Sequence, residues 1–173
     1  PVINLDTAND TWQRDGNITL KFTASDLRGI GACILYGNFN TTWSMNATKT
    51  GIISGTQDSF VINLTNSTYL WNVQCNDTVG NSAFNASNFT FTIDKFVPSI
   101  TLNRPSHNSQ TSRNVIFNWT AFDNLDKGLR CNITLDNLVN ISGIESANGT
   151  ETNVTITGIQ EGVHYWNVTC VDN

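Results

Sequence analysis

Along most of this chain apolar and polar residues alternate with a period of two, the mark of strands that bury one face. The pattern is sharpest over residues 69–77 and 164–172, which share Trp-Asn-Val-x-Cys. One parity carries Trp71, Val73 and Cys75, or Trp166, Val168 and Cys170; the other carries Leu70, Asn72 and Gln74, or Tyr165, Asn167 and Thr169. Each stretch predicts a strand with an apolar inner face and a mainly polar outer one. The first runs into Asp77-Thr-Val-Gly-Asn81, which is turn chemistry.

The duplication extends further. Pro1-Val-Ile-Asn-Leu5 returns as Pro98-Ser-Ile-Thr-Leu102, and residues 17–26 return as 114–123, each 97 positions later. Cys33 returns as Cys131 at 98 and Cys75 as Cys170 at 95. Landmarks in the same order at near-constant spacing define an internal repeat. In the first copy the alternation predicts strand A over Val2–Leu5 and strand B over Asn17–Ser25, with Ile18, Leu20, Phe22 and Ala24 inward. Strand C follows at 32–36, an edge segment at 42–48, E at 60–65, F at 69–77 and G at 88–93. No helical period competes. The expected fold is all-β, two tandem immunoglobulin-like β-sandwiches at 1–94 and 98–173, the second lacking its own G strand.

That second copy matches through strand F, placed at 163–171, and has no counterpart of residues 79–97. A sandwich without strand G exposes unpaired backbone groups and a strip of core. Two expectations follow: the chain is cut from a longer array, or another copy donates the strand, with the segment Pro1 to Leu5 as donor. A head-to-tail donation does not close on itself and builds a filament.

Composition narrows the function. Hydrophobic residues at 39% and aromatics at 10% suffice for a core. Charged residues are only 13%, so Asn, Ser and Thr must keep the surface wet. A net charge of −5 and a pI near 4.7 argue against nucleic acid as a partner. No apolar run reaches membrane-spanning length, so no membrane insertion is expected in this segment. Beginning at Pro1 without a charged-then-apolar leader, the chain reads as a processed product or an excised fragment.

Strands C and F are antiparallel neighbours in such a sandwich, which brings the start of C to the end of F. Cys33 with Cys75, and Cys131 with Cys170, are therefore expected as two bridges within one sheet, in an oxidising compartment. Free thiols are one alternative; a zinc site is another, although no two cysteines stand two to four apart. Asn-x-Ser/Thr begins at Asn9, Asn17, Asn40, Asn46, Asn63, Asn66, Asn76, Asn85, Asn88, Asn118, Asn132, Asn140, Asn148, Asn153 and Asn167. Strands with Asn and Thr on their outer face generate such triplets as a by-product. On an uncharged surface with disulfides they are also candidate glycosylation sites.

Strands B and F both run toward the pole of the sandwich where the preceding domain attaches. Asp123, Asp126 and Asp172 are thereby expected near the linker residue Asp94, as turn caps or as oxygen ligands for calcium. Asp26 and Asp77 hold the same places in the first copy. Catalytic chemistry is not in evidence. His107 lies in a polar loop, His164 has the inward parity of strand F, and no nucleophile-elbow, zincin or phosphate-loop motif occurs. No cofactor other than calcium and no enzyme activity are expected. Trp71, Trp119 and Trp166 read as core, while Trp12 and Trp43 are the candidate platforms for surface glycans.

Trp-Asn-Val-x-Cys-x-Asp, then Val-Gly-Asn, then Asn88-Phe-Thr-Phe-Thr-Ile-Asp94 resemble the Ig-like repeats strung along archaeal cell-surface and secreted proteins. The resemblance covers both copies except the missing end of the second. It implies an extracellular spacer, stalk, envelope or filament role and brings no catalytic residues with it. The leading expectation is a structural module of a glycosylated extracellular filament or surface array, with copies of itself as partners. The alternative is an adhesin or carbohydrate-binding module.

Overall fold

Alternation becomes strand after strand in the computed structural model, which describes residues 1–172 and divides the chain into two units, Pro1–Lys95 and one beginning at Phe96. Among the described residues all regular structure is β. The first unit contains β1 (Val2–Leu5), β2 (Thr11–Gln13), β3 (Asn17–Ser25), β4 (Ile30–Gly37) and β5 (Ser44–Thr50). It continues with β6 (Gln57–Asn63), β7 (Ser67–Asp77), β8 (Ser82–Phe84) and β9 (Phe89–Ile93). One sheet has the order β1-β3-β6; the other has the order β2-β9-β7-β4-β5, with β8 also on β7.

β3 shows how the pattern becomes a layer. Ile18, Leu20, Phe22 and Ala24 are fully enclosed while Asn17, Thr19 and Lys21 face water. Across the core they meet Leu35, Trp71, Val73, Phe91 and Ile93 of the opposite sheet. Each large side chain so buried contributes about 1.5–3 kcal/mol. Phe22 stacks on Phe60, its sheet neighbour, at 5.3 Å.

Two short strands escape the pattern. β2 pairs in parallel with β9, and β8 pairs with β7; at three residues each they show too few alternations to be read. β6 runs earlier than the expected 60–65, so Leu64 lies beyond it, half-buried. Asn72, on the outward parity of β7, is nevertheless buried. Its Nδ2 donates to the carbonyl oxygen of Asn85 (3.1 Å) and to Asn88 Oδ1 (2.8 Å), tying β7 to the segment that leads into β9.

The second unit contains β10 (Ser99–Arg104), β11 (Val115–Phe122), β12 (Gly128–Leu135), β13 (Leu138–Ala147), β14 (Glu151–Ile156) and β15 (Trp166–Val171). Its sheets have the orders β10-β11-β14 and β13-β12-β15. Val115, Phe117, Trp119 and Ala121 of β11 form one wall of a core completed by Leu129, Ile133 and Val168.

Strand F of this unit begins at Trp166, not at 163. In the first unit Ser67 to Leu70 are the residues that β9 holds, in the register Ser67↔Ile93, Thr68↔Thr92, Tyr69↔Phe91 and Leu70↔Thr90. Their counterparts, 95 positions on, are residues 162–165, which form no ladder. Among the described residues no strand holds this stretch as β9 holds Ser67 to Leu70.

Trp166 differs for the same reason. Its counterpart Trp71 is wholly enclosed, with Phe89 of β9 edge-on at 6.4 Å. Trp166 meets Phe117 edge-on at 5.1 Å on its inner side but stays partly exposed. Trp71→Ala is therefore expected to destabilise the first unit by about 3–5 kcal/mol, and Trp166→Ala to cost the second clearly less. Urea unfolding followed by residue-resolved NMR measures both. Equal losses would contradict the difference in enclosure.

Candidate functional site

The most distinctive surface of the molecule is the free side of β15. Among the described residues β15 pairs only with β12, from Arg130↔Val171 to Leu135↔Trp166. Its counterpart β7 pairs with β4 on one side and with β8 and β9 on the other. Val163, Tyr165 and Val171 are exposed along this side, and Cys170 and Trp166 are only half covered. Asn167, which stands where Asn72 stands, is exposed, and among the described residues no segment engages it as Asn85 and Asn88 engage Asn72. An edge with unpaired backbone groups beside a partly open core is a template for an added strand.

Both bridges lie within a sheet. Cys33 is bonded to Cys75 and Cys131 to Cys170, and each pair is a directly opposed pair of the C–F ladder. Sequence separations of 42 and 39 make each closure worth about 4 kcal/mol on the chain-entropy account. No free cysteine remains for metal or redox chemistry.

The turn aspartates behave differently in the two units. In the first, Asp26 Oδ1 accepts from the Arg28 N–H (2.8 Å), and Oδ2 lies 2.9 Å from the charged amino group of Pro1. Asp77 caps the turn after β7, accepting from the N–H groups of Val79 and Asn81 and from Asn81 Nδ2. These donors hold the Asp26 and Asp77 carboxyls below the usual range; for Asp26 the Arg28 N–H is the largest cause, for Asp77 the Asn81 side chain.

In the second unit Asp123 Oδ1 accepts from the N–H groups of Leu125 (2.9 Å) and Asp126 (3.0 Å). Its Oδ2 is enclosed without a hydrogen-bond partner. A carboxylate oxygen of Asp126 comes within 4.8 Å of one from Asp123, and both residues are buried. Asp172, after β15, stands outside that pair. Asp94 belongs to the first unit, where its N–H donates to the Gln13 carbonyl (2.8 Å).

His164 precedes β15 instead of lying in it. Nδ1 is 2.6 Å from Asp136 Oδ2 and Nε2 is 2.9 Å from the Gln160 carbonyl oxygen. Both partners only accept, so the doubly protonated ring satisfies both. It is a strut joining the start of β15 to the β12–β13 turn, where Asp136 Oδ1 also accepts from the Tyr165 N–H.

None of the fifteen sequon asparagines is buried: Asn66, Asn76, Asn85, Asn118, Asn132 and Asn148 are partly covered and the others are exposed. Buried Asn72 is followed by Val-Gln and forms no sequon. Asn148 is half-buried with its Nδ2 donating to the carbonyl oxygens of Asp123 (2.6 Å) and Asp126, so its nitrogen is already committed. Trp12 and Trp43 are partly exposed. Trp43 stacks on Tyr36 (6.3 Å), which meets Phe84 edge-on (5.0 Å), an aromatic group that spacing in sequence does not reveal.

No protein-family profile and no curated protein matches the chain. Among solved structures it is similar to the fibronectin(III)-like modules of Clostridium thermocellum CbhA, at 14% identity and a TM-score of 0.50. The match covers 98% of this chain and 85% of that one. Likeness at this identity speaks for the fold alone, a β-sandwich of the immunoglobulin and fibronectin-III kind.

The His164 strut has a pH signature. Asp136 raises the pKa of His164 above its ordinary value, with the Gln160 carbonyl adding to it, and His164 in turn lowers that of Asp136, helped by the Tyr165 N–H. The histidine's contribution to stability is full below the unfolded pKa of about 6.5 and is lost as pH rises through the raised folded value. The aspartate's is present above about 3.9 and is lost as pH falls through its lowered value. An NMR titration is expected to place His164 above 6.5, and Asp136→Asn to bring it down. An unmoved His164 in that variant would refute the pairing.

Proposed function

We propose that this chain is a structural module of a glycosylated extracellular filament or surface array, joined end to end by strand addition at the open side of β15. The observation that carries this reading is the unpaired stretch 162–165, whose counterparts in the first unit are the four residues that β9 holds. Half-covered Trp166 and exposed Asn167 stand beside it, where an incoming strand would restore the contacts of Trp71 and Asn72.

The proposed donor is β1 of a neighbouring copy. It has four residues, matches the four open positions, and alternates with Ile3 and Leu5 inward as Phe91 and Ile93 do in β9. As an edge strand it is held by one ladder only, from Val2↔Ser25 to Leu5↔Phe22. Each copy then carries one donor, β1, and one acceptor, the open side of β15, so the contact propagates instead of closing. The two disulfides suit an oxidising compartment, and the low charge with exposed sequon asparagines suits a surface solvated by glycans.

The purified chain is expected to form concentration-dependent multimers in light scattering, with filaments by electron microscopy. Deleting residues 1–6, or adding a peptide of residues 88–94, should leave short species or monomers. Peptide binding without self-assembly would show that continuing chain fills the slot, overturning donation. Neither binding nor assembly would overturn the reading altogether.

The adhesin or carbohydrate-binding alternative is favoured by one feature, the exposed group of Trp43, Tyr36 and Phe84. On the structural reading a glycan array probed with the chain stays blank. A signal lost in Trp43→Ala or Trp12→Ala would decide for the alternative.

A further inference from the structure

We propose that Asp123 and Asp126 hold a divalent cation, calcium, in the turn after β11. Asp123 is 3% exposed, and its two oxygens have different fates. Oδ1 is committed to the N–H groups of Leu125 and Asp126, while Oδ2 is enclosed with no hydrogen-bond partner. A buried charge keeps its place only when something compensates it. The nearest comparison is inside the same chain. Asp26 occupies the equivalent place and makes the equivalent turn contact through Oδ1, but it is only partly buried, so water reaches it.

Asp126 lies three residues on, buried, with a carboxylate oxygen within 4.8 Å of one from Asp123. Asn148 fixes this convergence: Nδ2 donates to the carbonyl oxygens of both aspartates, and Oδ1 accepts from the Asp123 N–H. Asn148 is thus a positioning residue, which gives its committed amide nitrogen a purpose.

The donor set selects the ion. It is all oxygen, which disfavours zinc. It offers two carboxylates in an irregular turn, which suits the variable coordination of calcium better than the rigid octahedron of magnesium. Water completes the shell.

The test uses the full chain stripped with EDTA and titrated with calcium chloride, read by calorimetry and by thermal unfolding. The expected result is calcium binding that raises the unfolding temperature and an affinity that falls at least about tenfold in Asp123→Asn and in Asp126→Asn. Asparagine at 123 keeps the Oδ1 acceptor of the turn, so that variant should fold. If it does not, Asp126→Asn decides alone. Asp26→Asn, in the partly exposed equivalent turn of the first unit, should bind as the parent does. No heat and no thermal shift up to millimolar calcium would overturn the proposal. So would binding unchanged in both variants, or a response to magnesium chloride but none to calcium chloride.

Discussion

Everything distinctive here turns on whether the F strand has a neighbour on its outer side. Where β9 is present, it holds Ser67 to Leu70 in a ladder, lays Phe89 against Trp71, and follows a segment that engages Asn72. A four-residue ladder is a modest interaction by itself. Its consequences are larger because the same strand covers the core and satisfies a polar side chain. In the second unit all three fail together: the strand starts later, Trp166 is part-exposed, and Asn167 faces water. One pairing, present beside β7 and not found beside β15 among the described residues, links three observations that composition would leave unrelated.

The two copies act as controls for one another. The bridges sit at the same rungs of the same ladder in both, so the C–F pairing does not depend on strand G. Cross-linking at that point holds F to C where its other side is open, which is where fraying would otherwise begin. The turn after strand B tells the converse story. Asp26 and Asp123 share a backbone cap through one oxygen, and differ in burial: Asp26 is partly exposed, while Asp123 is enclosed with its other oxygen unpartnered. A conserved turn geometry thereby leaves two different electrostatic problems. The second of them points to an ion.

The surface follows from the same economy of charge. Outer faces built from Asn, Thr and Ser cross-bond instead of pairing charges, as Asn63 does to Asn17 across β3 and β6 and Asn103 to Asn118 across β10 and β11. Such faces stay soluble without strong fields, and they leave sequon asparagines at the surface. Ion pairs among the described residues, such as Lys49 with Asp58, Arg130 with Glu145 and His164 with Asp136, are local struts. Exposed pairs of that kind tune stability weakly.

Alternation by itself determined the all-β class, the inward faces of β3, β7 and β9, and the C–F position of both cysteine pairs, because a period of two and a repeat of about 97 residues are properties of the chain read locally. It also marked Asp123 and Asp126 as residues of interest without saying which oxygen would be left over. Only the folded structure decided that Asn72 is buried and Asn167 is not, that Trp166 is half open, and that Tyr36 and Phe84 gather round Trp43. It also found β2 and β8, whose three residues each are held by partners and not by any pattern of their own. In such cases a residue's surroundings come from other strands and turns, near in the chain or far from it. Parity tells which way a side chain points, and only the neighbour decides what it meets there.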